Sequence, residues 1–162
     1  MTALTELLHF DSQTQALGQV SGRLGWDQET MMPSGSSAQR GEEMAALEGV
    51  LHARRSDPRV GDWLAACDGQ AFDRVTQAQL REIKTAYERA VKVPGDLAEA
   101  IASTTSMAQG KWAAARAEDD FAAFAPVLQE VLALKREEGQ ALAAGGDVYD
   151  AMLADYEPGT TA

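Results

Sequence analysis

Residues 119–147 read DDFAAFAPVLQEVLALKREEGQALAAGGD. Phe121, Phe124, Val127, Leu128, Val131, Leu132 and Leu134 recur mostly at spacings of three and four. That is the period of one helix face and not the alternation of a strand. Asp119 or Asp120 stands where a capping carboxylate begins such a helix, and Gly145-Gly146-Asp147 is a stop. The spacing predicts a helix between them, with the seven apolar side chains as its buried stripe. Pro126 falls about one turn in, where it forgoes a backbone hydrogen bond unless the helix starts nearby.

Working outward, the same signals repeat. Pro94-Gly95-Asp96 opens a predicted helix of roughly twenty residues through Leu97, Ile101, Met107 and Trp112. Another spans about 73–91, with Val75, Leu80, Ile83, Tyr87, Ala90 and Val91. Asp57-Pro58 pairs a capping carboxylate with a first-turn proline and starts a short helix through Val60, Trp63 and Leu64 that stops near Gly69. Ser34, Ser36 and Ser37 are candidate caps for a helix running to about His52 or Arg54, with Met44, Leu47, Val50 and Leu51 on its apolar side. The first segment, about 2–28, carries Leu4, Leu7, Leu8, Leu17, Val20 and Leu24, and Pro33-Ser34-Gly35 break it. Val148, Tyr149, Met152 and Leu153 mark a last short helix before an open tail over 157–162. The fold class expected is all-α: about seven helices in an antiparallel bundle or array, no sheet, with 1–162 forming a single helical domain.

The chain has 162 residues, enough to bury a core. Ala, Leu, Glu and Gln are abundant and β-branched residues sparse, which favours helix. Twenty-five acidic against fourteen basic residues give a net charge of −11, a surface that repels phosphate backbones and argues against nucleic acid as a partner. The single cysteine, Cys67, reads as a small apolar residue without a disulfide partner. No run reaches the roughly 18 apolar residues of a membrane span, and the N-terminus lacks a basic stretch followed by an apolar one. No membrane partner and a cytoplasmic location are the resulting expectations.

Chemistry-bearing patterns are few. Glu6-Leu7-Leu8-His9 has the Glu-x-x-His spacing that di-iron bundles use, but such a site needs two of these motifs and two more carboxylates. The other candidate, Glu48 to His52, is one residue too long. There is no His-Glu-x-x-His zinc motif and no Gly-x-Ser-x-Gly turn. The acidic pairs Glu42-Glu43, Asp119-Asp120 and Glu137-Glu138 read as solvated faces or helix starts. On residues alone, no catalytic residue and no metal ligand is assigned.

One stretch stands apart: Gly25-Trp26-Asp27-Gln28-Glu29-Thr30-Met31-Met32-Pro33-Ser34-Gly35. It has two readings. In one, Trp26 and the methionines plug a helix C-terminus while Asp27 or Thr30 bonds loop amides. In the other, Trp26, Asp27, Thr30, Met31 and Pro33 form one wall of a ligand cleft.

Leu24 to Pro33, followed by Arg40, resembles the N-terminal signature of the thermostable (Taq-type) metallocarboxypeptidases. Tyr87-Glu88-Arg89-Ala90 leading to Val93-Pro94-Gly95-Asp96-Leu97 is similar to the same family. So are Trp112 to Arg116 with Asp120 to Pro126, Leu134 to Glu138, and Tyr149 to Leu153 with Asp155 to Gly159. The likeness runs in order along nearly the whole chain. It implies an all-helical cytosolic enzyme, several-fold longer than this chain, that removes C-terminal amino acids from peptides. It also implies a divalent metal, zinc or cobalt, held by a His-Glu-x-x-His helix and a downstream glutamate. Those residues have no counterpart here, so no metal ligand is carried over. The resemblance therefore implies an N-terminal helical fragment that covers one side of the peptide groove, is inactive alone, and lacks its catalytic half as partner. Trp26 to Pro33 and Arg40 carry over as signature positions only. Arg40 is expected to pair with Asp27 or Glu29, or to meet a peptide carboxylate. The alternative is a stand-alone helical interaction module without catalytic activity. Either way, apolar surface left without its cover makes a homo-oligomer an expectation.

Overall fold

A computed structural model describes residues 2–162. Every predicted helix forms, and most begin as their capping residues dictate. Helix α1 (Ala3–Thr30) starts on Thr2, whose hydroxyl accepts the Thr5 amide. It overruns its expected end by two residues, and a 3₁₀ turn at Ser34–Ser36 follows. Helix α2 (Ser37–Arg55) then starts without a serine cap bond, and the Ser36 amide donates to Pro33 O within the preceding turn. Helix α3 (Pro58–Cys67) starts on Asp57, α4 (Arg74–Ala90) on Asp73, and α6 (Phe121–Ala143) on Asp120. Each of these carboxylates accepts an amide from the first turn. Helix α5 (Gly95–Ala117) follows Pro94, and α7 (Val148–Leu153) starts on Asp147. Pro126 lies inside α6 within two turns of its start, so a single bond of the ladder is forgone. Among the described residues there is no strand.

The helices form an antiparallel row in the order α1, α2, α5, α6. Asp27 meets Arg40 and Phe10 meets Arg54 across α1 and α2. Sites on α2 at Ser37, Gly41 and Gly49 face Gly110, Met107 and Glu99 of α5. Helix α5 thus packs beside α2 although α3 and α4 intervene in sequence. The axes approach closely at Gly41, where an added Cβ would stand 3.0 Å from Met107 Cγ.

Two apolar clusters hold the array. One joins Leu7, Val60 and Ile83 from α1, α3 and α4, with Phe10, Trp63 and Tyr87 around them. The other joins Val93, Leu97 and Leu142, with Ile101, Leu134, Ala151 and Met152 against them. Among the described residues, Leu7 and Leu51 are the largest wholly enclosed side chains. The expected stripe of α6 is not buried as predicted. Phe121 is 67% exposed and Leu132 42%, and Phe124, Val127, Leu128, Val131 and Leu134 are half-buried. Helix α6 lies at the edge of the row, so α5 covers one side and the short α7 covers part of another. Val50 is likewise exposed on α2.

Candidate functional site

The signature stretch sits where α1 ends and α2 begins, and a buried arginine organises it. Arg40 on α2 donates from Nη2 to Asp27 Oδ2 at 2.6 Å, from Nε to Glu43 Oε2 at 2.9 Å, and from Nη1 to the Leu24 carbonyl. The hydrogen bond to the Asp27 carboxylate, with the bond to Glu43 adding to it, holds the guanidinium pKa above its already high ordinary value. Arg40 is 8% exposed, and each of its three nitrogens makes one of these bonds. The expected pairing with Asp27 is present. Glu29 is exposed and takes no part.

The structure also decides how the loop is tied. Met31 and Met32 both send their amides to the Asp27 carbonyl, at 2.9 and 2.8 Å. Thr30 donates its hydroxyl to the Trp26 carbonyl. The loop amides are therefore bound by backbone and not by the Asp27 or Thr30 side chains. Trp26 is 63% and Met31 71% exposed, so neither plugs the helix end. Asp27, Met31, Pro33 and Arg40 border one depression of about 160 Å³ with Ser36 and Glu43. That is smaller than the roughly 300–1,000 Å³ of a ligand pocket, so the depression is part of a surface and does not enclose a ligand.

Three arrangements escaped the sequence reading. Gln28 reaches across to α5, donating to the Ser106 carbonyl at 2.7 Å and accepting the Ser106 hydroxyl at 2.8 Å. Glu138, expected on a solvated face, is buried between Arg89 at 3.0 Å and Lys135 at 2.7 Å. A cleft of about 560 Å³ opens between α3 and α4, bordered by Leu64, Cys67, Phe72, Leu80 and Tyr87. The Lys135–Glu138 spacing was a visible signal for the second, whereas the first and third depend on which helices become neighbours.

The histidines do not converge. His9 lies beside Gln13 on the exposed side of α1, 3.2 Å apart. His52 donates Nε2–H to the Val93 carbonyl at 2.7 Å. Among the described residues, no three His, Cys, Asp or Glu side chains stand together as a metal-binding group.

The profile of the carboxypeptidase Taq (M32) metallopeptidase family matches residues 6–162. The chain belongs to this family. It is 38% identical to thermostable carboxypeptidase 1 of Thermus thermophilus over 99% of its own length and 34% of the relative's. Against thermostable carboxypeptidase 1 of Pyrococcus furiosus the identity is 27%, covering 89% and 29%. The solved structure of Trypanosoma cruzi metallocarboxypeptidase 1 superposes with a TM-score of 0.74 at 31% identity, covering 98% of this chain and 32% of that one. The crystal structure of BsuCP superposes with a TM-score of 0.91 over 99% and 33%, a likeness of fold alone at 21% identity. The chain thus spans about a third of the length of the relatives it matches. The family's description implies a metal, and the donors present here do not fit one: the two histidines are apart, and neither joins a carboxylate cluster.

Proposed function

We propose that this chain is the N-terminal helical region of a metal-dependent carboxypeptidase that releases C-terminal amino acids from peptides. The chain forms one wall of the groove that receives the peptide. The observation that carries this reading is the family match over 6–162 in a chain that spans only a third of its relatives and has no His-Glu-x-x-His motif. The partner of this region is the catalytic remainder of the parent enzyme, which supplies the divalent metal (zinc or cobalt) and the water-activating glutamate. The region forms a single helical domain, and its location is the cytoplasm. In support, no helix among the described residues is long and apolar enough to cross a membrane.

Within that wall, Trp26, Met31 and Pro33 present the surface, since they are exposed at the end of α1. Thr30 closes the last turn, and Arg40 with Asp27 fixes the angle between α1 and α2 behind it. By itself the chain has no peptidase activity. The test is incubation of the purified 162-residue chain with unblocked peptides and zinc or cobalt, followed by amino-acid analysis. No release is expected. Metal-dependent release that a chelator stops would overturn the assignment.

A further inference from the structure

The last helix is held differently from the others. No residue of α7 is buried. It hangs from α6 by Ala144 and Gly145, both at left-handed φ (48° and 92°), followed by Gly146. The Ala144 and Gly146 amides are tied back to Gln140 and Ala143 of α6, and the two glycines let the chain take other backbone conformations once those two bonds open. The docked position uses a small apolar seat. Ala151 and Met152 rest against the Val93, Leu97 and Leu142 cluster. Gly139 on α6 makes room for Val148 and Met152: an added Cβ there would stand 2.8 Å from Val148 Cγ1 and 3.3 Å from Met152 Cγ.

One ion pair completes the docking. Arg89 on α4 reaches Asp155, just past α7, at 2.8 Å, and the same Nη2 reaches Glu138 at 3.0 Å. Lys135 holds the other oxygen of Glu138 at 2.7 Å. The side chains differ in burial: Glu138 is 10% exposed, Arg89 32% and Asp155 37%. Removing one partner of a buried pair is costly because a charge is left unmatched. Withdrawing Asp155 leaves no such charge. Glu138 keeps both of its cations, Arg89 keeps Glu138, and Asp155 passes into water.

We propose that α7 with residues 154–157 is a strap that swings on the Ala144–Gly146 hinge between a docked and a released position. The buried Arg89–Glu138–Lys135 set is satisfied in both. The Arg89–Asp155 pair and the apolar seat of Val148, Ala151 and Met152 separate the two positions. Release bares an apolar shelf on α6 around Gly139, Leu142 and Leu134. The inference does not depend on the peptidase reading.

Hydrogen exchange on the full chain tests it. The amides of Ala151, Ala154 and Glu157, bonded to Asp147, Asp150 and Leu153 carbonyls, are expected to exchange through local opening, faster than those in the middle of α5. Asp155→Asn removes a partly exposed pair and should speed their exchange about fivefold while α4 and α6 keep their rates. Raising the salt concentration with the unmodified chain should act in the same direction. Glu138→Gln, by contrast, should speed exchange in α4 and α6 as well. Equal acceleration across α4, α6 and α7 in Asp155→Asn, or none in α7, would overturn the strap.

Discussion

The N-terminal half of α1 and the length of α6 both carry apolar residues at helical spacing, yet they end in opposite environments. Leu7 on α1 is wholly enclosed, whereas Leu132 on α6 is 42% exposed and Phe121 67%. Sequence period does not explain the difference. The α3–α4 hairpin folds back on α1, and Val60 and Ile83 close over Leu7. Phe10 and Trp63 add a ring contact at 5.6 Å, and the Arg54 guanidinium covers Phe10 at 4.0 Å. Helix α6 has α5 on one side and six residues of α7 beyond, and nothing among the described residues closes its outer face. A stripe specifies which side of a helix seeks cover; a neighbour decides whether it is covered.

The sharpest break in this comparison is Leu7→Ala against Leu132→Ala. Truncating an enclosed leucine removes its transfer free energy and leaves a cavity, so Leu7→Ala should cost about 3 kcal/mol of unfolding free energy. Leu132→Ala should stay within about 0.5 kcal/mol. Urea denaturation of the two variants measures both, and similar costs would mean that the two stripes are not differently sealed.

A smaller effect separates the helices that do the sealing. Asp57 caps α3, accepting the Arg59 amide at 2.9 Å and the Arg59 side chain at 2.7 Å. Those bonds, the side-chain bond to Arg59 first, hold its carboxyl below the ordinary value of 3.8. The sign follows directly. A depressed folded pKa contributes stability that is present above 3.8 and is lost as pH falls through the lowered value. Asp57→Ala should therefore cost about 1 kcal/mol near neutral pH and nothing once the native carboxylate is protonated. It should also loosen Val60 over Leu7, visible as faster exchange in the first half of α1. Asp120→Ala removes the corresponding cap of α6 and should leave α1 unchanged. Denaturation of both variants between neutral pH and about pH 3 distinguishes them, and a pH-independent loss for Asp57→Ala would contradict the charge argument.

The same contrast explains what the sequence made legible. Helix existence followed from spacing, and the starts at Asp57 and Asp120 followed from their capping carboxylates, which act within four residues of themselves; Asp73 and Asp147 cap their helices too, although Asp147 reads in the sequence as part of a stop. The Arg40–Asp27 pair was legible because both residues flank a single turn. Burial was not. Leu7 and Phe121 look equivalent until α3 and α4 are placed, and Glu138 looks solvated until Arg89 arrives from 49 residues away. The Gln28–Ser106 bond spans 78 residues for the same reason. The site suffered most, since a groove wall is defined by what stands opposite it. Trp26 and Met31 stand out in the sequence, but they are exposed and do not plug the helix end.

The smallest effect on stability carries the largest effect on association. Phe121 and Leu132 lie eleven residues apart on α6, about three helical turns, and so face the same way roughly 16 Å apart. Exposed apolar side chains on one helix face are of the kind that seeks a partner, and Trp112 on neighbouring α5 is 50% exposed as well. A net charge of −11 opposes contact between two copies. Added salt screens that repulsion and leaves the apolar attraction in place. The isolated chain should therefore self-associate more at high ionic strength than at low, the reverse of an ion-paired interface. Replacing Phe121 and Leu132 together by serine should remove the association while changing unfolding free energy by less than about 1 kcal/mol. Light scattering across a salt series measures it. A variant that still associates would move the uncovered surface away from α6, and a chain that remains monomeric at every salt concentration would mean that its own charge outweighs the exposed stripe.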